Sequence, residues 1–390
     1  VARRGKSVAE HAKRALSKID LHIVSFNVPL PADYGGVIDV FYKLEALSKL
    51  GYNIALHCFD YGRGELPELE KYAAEVYYYS RNASPLNALF LSPFSVKSRK
   101  SEKLLQRLAS DDAPILFESL QCCYYLDHPK LAQKQKWVRA HNVEHDYYRS
   151  LSRYENASLR KTYYFIEAKA LERFEKVLFH ADGVFAISPK DTQYFKSLGL
   201  NSSYLPAFYR QSIQVDSTFT IKQVALYQGN LKVEENVKAV LFLLEVFSEL
   251  PHELIIAGSE PGKVIVEKAA ELKNVTLIEN PSDEVMFDLI KTAKISCLPT
   301  FQATGIKLKL LHALTSGNEV MVNSEMIDGT GLAEYCTVTE SIDDWREQLT
   351  QTFSSELDLE KILKRQLAIA ELFDNQKNAK QLAESLGLAQ

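Results

Sequence analysis

The chain is predicted to be an α/β protein built from two doubly wound, Rossmann-like domains. Short β-branched apolar runs alternate with amphipathic segments along its whole length, the pattern of βα units with parallel sheets. Its 390 residues suit two domains of ordinary size. A polar stretch at 211–223, with neither helical nor alternating periodicity, separates two such series. These observations divide the chain into a basic extension at 1–19, a first domain at 20–210, a second at 211–372 and a final helical segment at 373–390.

In the first series, strands are expected at 21–26, 54–59, 76–79, 115–118, 137–140 and 183–187. A loop at 27–36 precedes a helix at 37–49, which Gly51 ends. One long amphipathic helix is expected at 155–181, and Ser188-Pro189 closes the last strand. In the second series, strands are expected at 224–227, 253–257, near 275–278, at 295–299 and at 319–322. Helices fall at 236–250 and 283–293, with a charged helical section from Asp343 onward. In open α/β sheets ligands bind beyond the carboxyl ends of strands, so the loops after strands are where chemistry is sought, with a cleft between the two domains.

Composition narrows the function classes. Hydrophobic content of 46% and charged content of 25% are those of a soluble globular protein. A net charge of −4 gives no support for nucleic acid as a partner. No apolar run is long enough to span a bilayer, and no secretory signal is visible. The five cysteines, Cys58, Cys122, Cys123, Cys297 and Cys336, lack metal-ligand spacing and read as buried thiols in a reducing compartment. A cytoplasmic location is expected. Arg3, Arg4, Lys6, Lys13, Arg14 and Lys18 make the first segment basic, with Val8, Ala12 and Leu16 at helical spacing. Such a segment is either a solvated extension or a peripheral contact with the inner face of a membrane.

The most informative stretch is 298–317. It reads as a strand end, a turn at Gly305, and a helix whose apolar positions Ile306, Leu310, Leu311, Ala313 and Leu314 recur at helical spacing, closed by Gly317. Lys307 falls in the first helical turn, which the helix dipole disfavours unless an anion docks on the free N–H groups. The segment is therefore a candidate phosphate seat, with Lys309 one step on. The alternative is a buried helix with outward-snorkelling lysines. Two other segments concentrate polar groups after strands. One carries Tyr34, Gly35 and Gly36 and opens a helix. The other carries His141, Asn142, Glu144, His145 and Asp146. His141, Glu144 and His145 stand in an H-x-x-E-H order, but a zinc site needs mid-helix placement and a third ligand, so zinc is not the reading taken.

The stretch 298–317 resembles the donor-binding strand–turn–helix of retaining GT-B glycosyltransferases, the large mannosyltransferase-like group 1 family with an E-x7-E pattern. The resemblance extends over most of the chain in element order and loop position. It implies two Rossmann-like domains facing across a cleft. It also implies transfer of a sugar from a GDP- or UDP-linked donor to a hydroxyl of a glycan or lipid-linked acceptor, with retention and without a metal or other cofactor. It implies donor contacts at Gly35, Gly36, Gly229, Asn230, Lys232, Ser282, Thr304, Gly305, Ile306, Lys307, Lys309 and His312. His141 would meet the transferred sugar, oriented by Glu144 or Asp146, and Tyr34, Asn142, His145 and Asp146 would lie on the acceptor side. The last helix would cross back onto the first domain. The departures are marked. Thr304 and His312 stand where the family has its two glutamates. Asn230 and Glu235 stand where it has an arginine and a lysine, leaving Lys232, Lys307 and Lys309 as replacement cations. Asn236 reads as a helix N-cap, and either Ser282 or Asp283 as another. A binding protein that has lost catalysis, or a nucleotide-sugar epimerase, is the alternative function.

Overall fold

The computed structural model describes residues 18–82, 92–155, 157–210, 220–302 and 305–388. The basic segment, apart from Lys18 and Ile19, lies outside these residues, as do Thr304 and most of the polar stretch at 211–223. The chain divides into two compact units, 1–210 with 373–390, and 211–372.

The first unit runs β1 (Leu21–Ser25), α1 (Gly35–Lys49), β2 (Ile54–Asp60), β3 (Glu75–Ser80), α2 (Phe94–Lys97), α3 (Glu102–Leu108), β4 (Ile115–Glu118) and β5 (Lys136–Ala140). It continues with α4 (Glu144–Tyr154), α5 (Ser158–Phe174), β6 (Gly183–Ala186), α6 (Pro189–Ser197) and β7 (Ser202–Tyr204). The seven strands are parallel in the order β3-β2-β1-β4-β5-β6-β7. Strand periodicity splits the core between two faces. Leu21, Ile23 and Leu116 join Leu44 and Leu47 on one side, while Val24, Ile115 and Phe117 join Leu171 and Leu178 on the other. Each large side chain so buried contributes roughly 1.5–3 kcal/mol. The order reverses between β1 and β4, so the loops after these two strands open at the switch point, with β5 beside them.

The second unit runs β8 (Lys222–Asn230), α7 (Glu234–Phe247), β9 (Glu253–Ser259), α8 (Lys263–Ala270), β10 (Val275–Glu279), α9 (Asp283–Thr292) and β11 (Ala293–Leu298). It continues with α10 (Leu308–Ser316), β12 (Glu319–Val322), α11 (Ser324–Ile327), β13 (Thr337–Val338), α12 (Ile342–Ser354) and α13 (Leu359–Leu372). Its six parallel strands are ordered β10-β9-β8-β11-β12-β13, with the reversal between β8 and β11. The last helix, α14 (Asn375–Ser385), packs on α1 of the first unit, burying Ala379, Leu382 and Ala383. Asp374 caps it by accepting from the Lys377 amide at 2.8 Å.

Several expectations are corrected. The helix foreseen at 155–181 is interrupted, because Glu155 ends α4 in an extended conformation (φ −76°, ψ 130°). α5 then covers Ser158–Phe174, and a 3-10 segment follows at Glu175–His180. Ser188-Pro189 does more than close a strand: Ser188 caps α6 by accepting from Asp191 N, with proline at the first helical position. Gly317 does end α10, but at φ −90°, outside the left-handed region. Glycine fits there because a Cβ would lie 2.7 Å from the Ala313 carbonyl oxygen.

A chain of polar groups, buried at its middle members Tyr79, His57 and His22, crosses one face of the first sheet. Arg107 Nη1 lies 3.0 Å from the Tyr79 hydroxyl, which lies 2.9 Å from His57 Nδ1. His57 Nε2 is 2.9 Å from His22 Nδ1, and His22 Nε2 is 3.0 Å from Asp111 Oδ2. Arginine can only donate and carboxylate only accept, so with neutral rings every bond points from Arg107 toward Asp111. Burial lowers the pKa of both histidines, of His57 well below the usual value. The unfolded chain therefore takes up protons below about pH 6.5 that the folded chain refuses. Stability conferred here is complete above that pH and declines as pH falls toward the lowered folded values. Urea midpoints at about pH 7.5 and about pH 5.5 should show acid destabilisation, less marked in His57→Gln; an equal loss in both proteins would exclude His57 as its source.

Candidate functional site

At the first unit's switch point, five ionisable groups pack together. Asp39 and Lys43 come from α1, Glu118 from the end of β4, Arg139 from β5, and His141 from just beyond β5. The first four are fully buried and His141 nearly so. Lys43 Nζ donates to Asp39 Oδ2 at 2.8 Å and lies 2.9 Å from Glu118 Oε1. Arg139 forks onto Asp39, with Nε 3.1 Å from Oδ2 and Nη2 2.8 Å from Oδ1. It also donates to the carbonyls of Leu205 and Pro206, and Phe208 N donates to Asp39 at 2.9 Å. Burial alone would raise the Asp39 carboxyl pKa, but Arg139 and Lys43 outweigh it and hold the group well below the usual range.

His141 Nε2 lies 3.0 Å from Glu118 Oε2. In the neutral ring this places the proton on Nε2 and makes Nδ1 the acceptor. Phe26 stands edge-on to the imidazole, 5.6 Å between centroids. A Cβ on Gly36 would meet Phe26 Cζ at 2.6 Å, so glycine lets the first turn of α1 close on this ring. Gly35 has open space around it. Tyr34 precedes the helix, half exposed, its hydroxyl accepting from Asn27 Nδ2 at 2.9 Å. Tyr34, Gly35, Gly36 and His141 are thus features of one switch point.

Glu144 and Asp146 have other partners than the one expected of them. Glu144 opens α4 and accepts from Ser119 Oγ at 2.6 Å and Gln121 Nε2 at 3.3 Å. Glu118 is therefore the carboxylate bonded to His141. Burial raises the Glu144 pKa, partly opposed by the Ser119 and Gln121 bonds. His145 is buried, 3.4 Å from Glu175 and 3.5 Å from Asp146. Burial works to lower its pKa, but the two carboxylates prevail and raise it. Asp146 is exposed and pairs with Arg149 at 3.0 Å. Asn142 is half-buried in the turn between β5 and α4. Asp39, Glu118 and His141 offer atoms within 4.8 Å of one another, a spacing a metal can use. The Lys43 ammonium already bonds both carboxylates, supplying the positive charge a cation would bring.

In the second unit, β8 and β11 end side by side at the other switch point. Gly229 and Asn230 close β8, and the turn at Gly305 leads to α10. Gly305 has φ +62°, the left-handed conformation the turn requires. Lys307 occupies the N-cap position, one residue before the helix and not within its first turn. Lys309 Nζ lies 2.8 Å from Asn236 Oδ1, 3.1 Å from the Tyr227 hydroxyl and 4.8 Å from the Tyr227 ring centroid. Burial pulls its pKa down to about 8; Glu235 opposes this and Lys307 adds to it. Lys307 Nζ stands 3.9 Å from Glu235 Oε1, and its pKa is lowered by burial against the pull of Glu235. Glu235 also accepts from Thr300 Oγ1.

Asn236 is not the expected N-cap. Val233 holds that position, and Asn236 sits in the first turn, donating to Asn230 O at 2.8 Å. Lys232 turns away from the lysine pair: it is 70% exposed and bonded to Glu260 at 2.7 Å. Ser282 caps α9, its Oγ accepting from Val285 N at 3.3 Å. Ile306 is buried beside the turn, and His312 is half-buried on α10. Of the expected donor residues, the structure brings Gly229, Asn230, Gly305, Lys307 and Lys309 to one switch point. Sequence reasoning did not assign site roles to Tyr227, Thr300, Asp39, Lys43 or Glu118. The i,i+4 spacing of Asp39 and Lys43, and an acid ending an apolar strand at Glu118, were the available signals.

Residues 222–350, about a third of the chain, match the family model described as glycosyl transferases group 1. An uncharacterized 44.6 kDa protein in the cps region of Klebsiella pneumoniae is 28% identical over 328 residues, 79% of this chain and 84% of that one. Among solved structures, Anabaena HepE in complex with UDP and glucose aligns with a TM-score of 0.62 at 13% identity, covering 94% of this chain and 99% of that one. The lipopolysaccharide outer core galactosyltransferase WaaB, in its apo form, aligns with a TM-score of 0.61 at 16% identity, covering 93% and 99%. The two Rossmann-like units have the GT-B architecture, and with the family match they support a glycosyltransferase.

Lys43 is the residue whose loss the first switch point should tolerate least. Lys43→Met leaves Glu118 buried without its cation and Asp39 with Arg139 alone. It should lower unfolding free energy by about 3–5 kcal/mol. A chemical-denaturation difference under about 1 kcal/mol would mean these carboxylates are solvated.

Proposed function

We propose that the protein transfers a sugar from a nucleoside-diphosphate donor to a hydroxyl of a glycan or lipid-linked acceptor, with retention at the anomeric carbon and without a metal. One observation carries the reading: Lys307 and Lys309 converge where β11 gives way to α10, inside the stretch matched by the group 1 family. Two lysines beside one carboxylate, at the N-terminus of a nine-residue helix, suit a diphosphate better than a neutral ligand. Uridine is the first base to test, because a structural neighbour was solved with UDP.

In this reading the bond between the anomeric carbon and the diphosphate oxygen breaks, and its electron pair remains on the departing diphosphate. Lys307, Lys309 and the first N–H groups of α10 stabilise that charge. The acceptor oxygen forms the new bond to the anomeric carbon and passes its proton to the departing diphosphate. His141, its Nε2 tied to Glu118, accepts a sugar hydroxyl through Nδ1. A second reading, a nucleotide-binding relative without catalysis, is favoured by one feature: Glu235 already lies near Lys307 and bonds Thr300.

A thermal-shift panel of UDP, GDP and their sugar conjugates, paired with an acceptor-dependent nucleotide-release assay, separates these readings. A ligand at about one hundred times its dissociation constant adds about 2.7 kcal/mol to stability. The stabilisation should be lost in Lys309→Ala. Release of nucleoside diphosphate on acceptor addition supports transfer; stabilisation without release supports the second reading; no stabilisation by any member contradicts both.

The state of Lys309 sets a pH dependence. Its pKa is drawn down to about 8, and a diphosphate binds the charged form. Binding therefore takes up a proton above that pH, and affinity should weaken as pH rises from about 7 to about 9. Calorimetric titrations in buffers of different ionisation enthalpy measure this uptake. Equal affinity across the range would exclude Lys309 as a contact.

A further inference from the structure

Helix α5 turns an apolar face outward. Leu159, at 88% exposure, is the most exposed large apolar side chain among the described residues. Ile166 is 56% exposed, Phe165 is half exposed, and Phe179 in the 3-10 segment after the helix is 58% exposed. At 100° per residue, Leu159, Phe165, Ile166, Lys169 and Arg173 share one side of α5, while Glu167, Ala168 and Leu171 are buried on the other and Ala170 is buried at the edge between them. The exposed cations Lys169 and Arg173 stand among the apolar positions, Lys161 flanks them and Lys176 follows in the 3-10 segment, while Arg160 lies on the opposite side of the helix and pairs with Glu155 at 3.4 Å. The exposed acid among them, Glu172, is held by Arg149 at 2.6 Å. This concentration of positive charge stands on a chain whose net charge is −4.

We propose that this face of α5 docks on an anionic lipid bilayer. Charge complementarity selects the occupant. Two copies of so basic a face repel when set against each other, which disfavours a symmetric dimer. Polyanions such as nucleic acid use the cations but gain little from Leu159 and Ile166. A bilayer uses both: the apolar side chains enter the headgroup–acyl boundary, and the lysines and arginines meet lipid phosphates. Lys169, 4.4 Å over the Phe165 ring, joins the two kinds of group on one surface. α5 packs along α4, whose first residue, Glu144, bonds Ser119 at the switch point. The lipid surface thus belongs to the unit that holds His141. The inference rests on this surface and not on the donor site.

The test is co-sedimentation of the full chain with vesicles of equal parts phosphatidylglycerol and phosphatidylcholine, and with phosphatidylcholine alone. Binding to the anionic vesicles is expected, and little to the neutral ones. The double variant K169E/R173E should weaken binding by at least about tenfold. L159S/I166S should weaken it further at physiological salt, where screening leaves the apolar term dominant. All four positions are exposed, so both variants should keep the wild-type melting midpoint, which is checked alongside. No binding to anionic vesicles, or binding unchanged in both variants, overturns the proposal. So does a dimer in light scattering that L159S/I166S dissolves, since the face would then be covered by a second copy.

Discussion

Two carboxylates, Asp39 and Glu118, lie without solvent contact at the switch point of the first sheet, and the local arrangement depends on neutralising them. At about 3 Å and an effective dielectric near 20, one opposite charge contributes on the order of 5 kcal/mol, comparable to the several kcal/mol needed to desolvate each ion. Lys43 bonds both carboxylates and Arg139 takes Asp39 in a fork. The network therefore adds little net stability, but it fixes register. It ties α1 to β4, β5 and residues 205–208, and it holds Glu118 where His141 meets it. The position of the imidazole follows from a charge balance set one layer deeper.

The second switch point uses charge differently. Glu235 lies close to Lys307, while Lys309 has neutral oxygens of Tyr227 and Asn236 as partners. Two cations against one acid leave the site positive when Lys309 is protonated, and its lowered pKa marks a charge that its surroundings only partly compensate. Such a site favours an anion that brings further negative charge. The Glu235 carboxylate keeps Lys307 partnered before any ligand arrives.

Much of the architecture was legible in the sequence because the relevant signals are local. The strand 115–118 and the strand 319–322 are short apolar runs between polar segments, and the structure has them at those limits. Gly305 was readable as a turn because a left-handed backbone favours glycine. The charge network was not legible, because its partners are distant in sequence: Lys43 meets Glu118 across 75 residues, and Arg139 meets Asp39 across 100. On sequence alone, Asp39 and Lys43 at i,i+4 look like an exposed helix pair, and Glu118 looks like the end of a strand. The helix boundary at Glu155 was missed because the amphipathic pattern runs across it. Lys232 was a reasonable replacement cation until its bond to the exposed Glu260 was seen.

The central claim is that Lys307 and Lys309 form the seat of a nucleoside diphosphate. Lysine side-chain NMR during a UDP titration tests it most directly, with the two signals assigned from Lys307→Arg and Lys309→Arg. Saturable shifts confined mainly to these two lysines, with the Lys309 pKa rising from about 8 on binding, are the expected result. UDP binding that leaves both signals unmoved would contradict the account and place the nucleotide elsewhere.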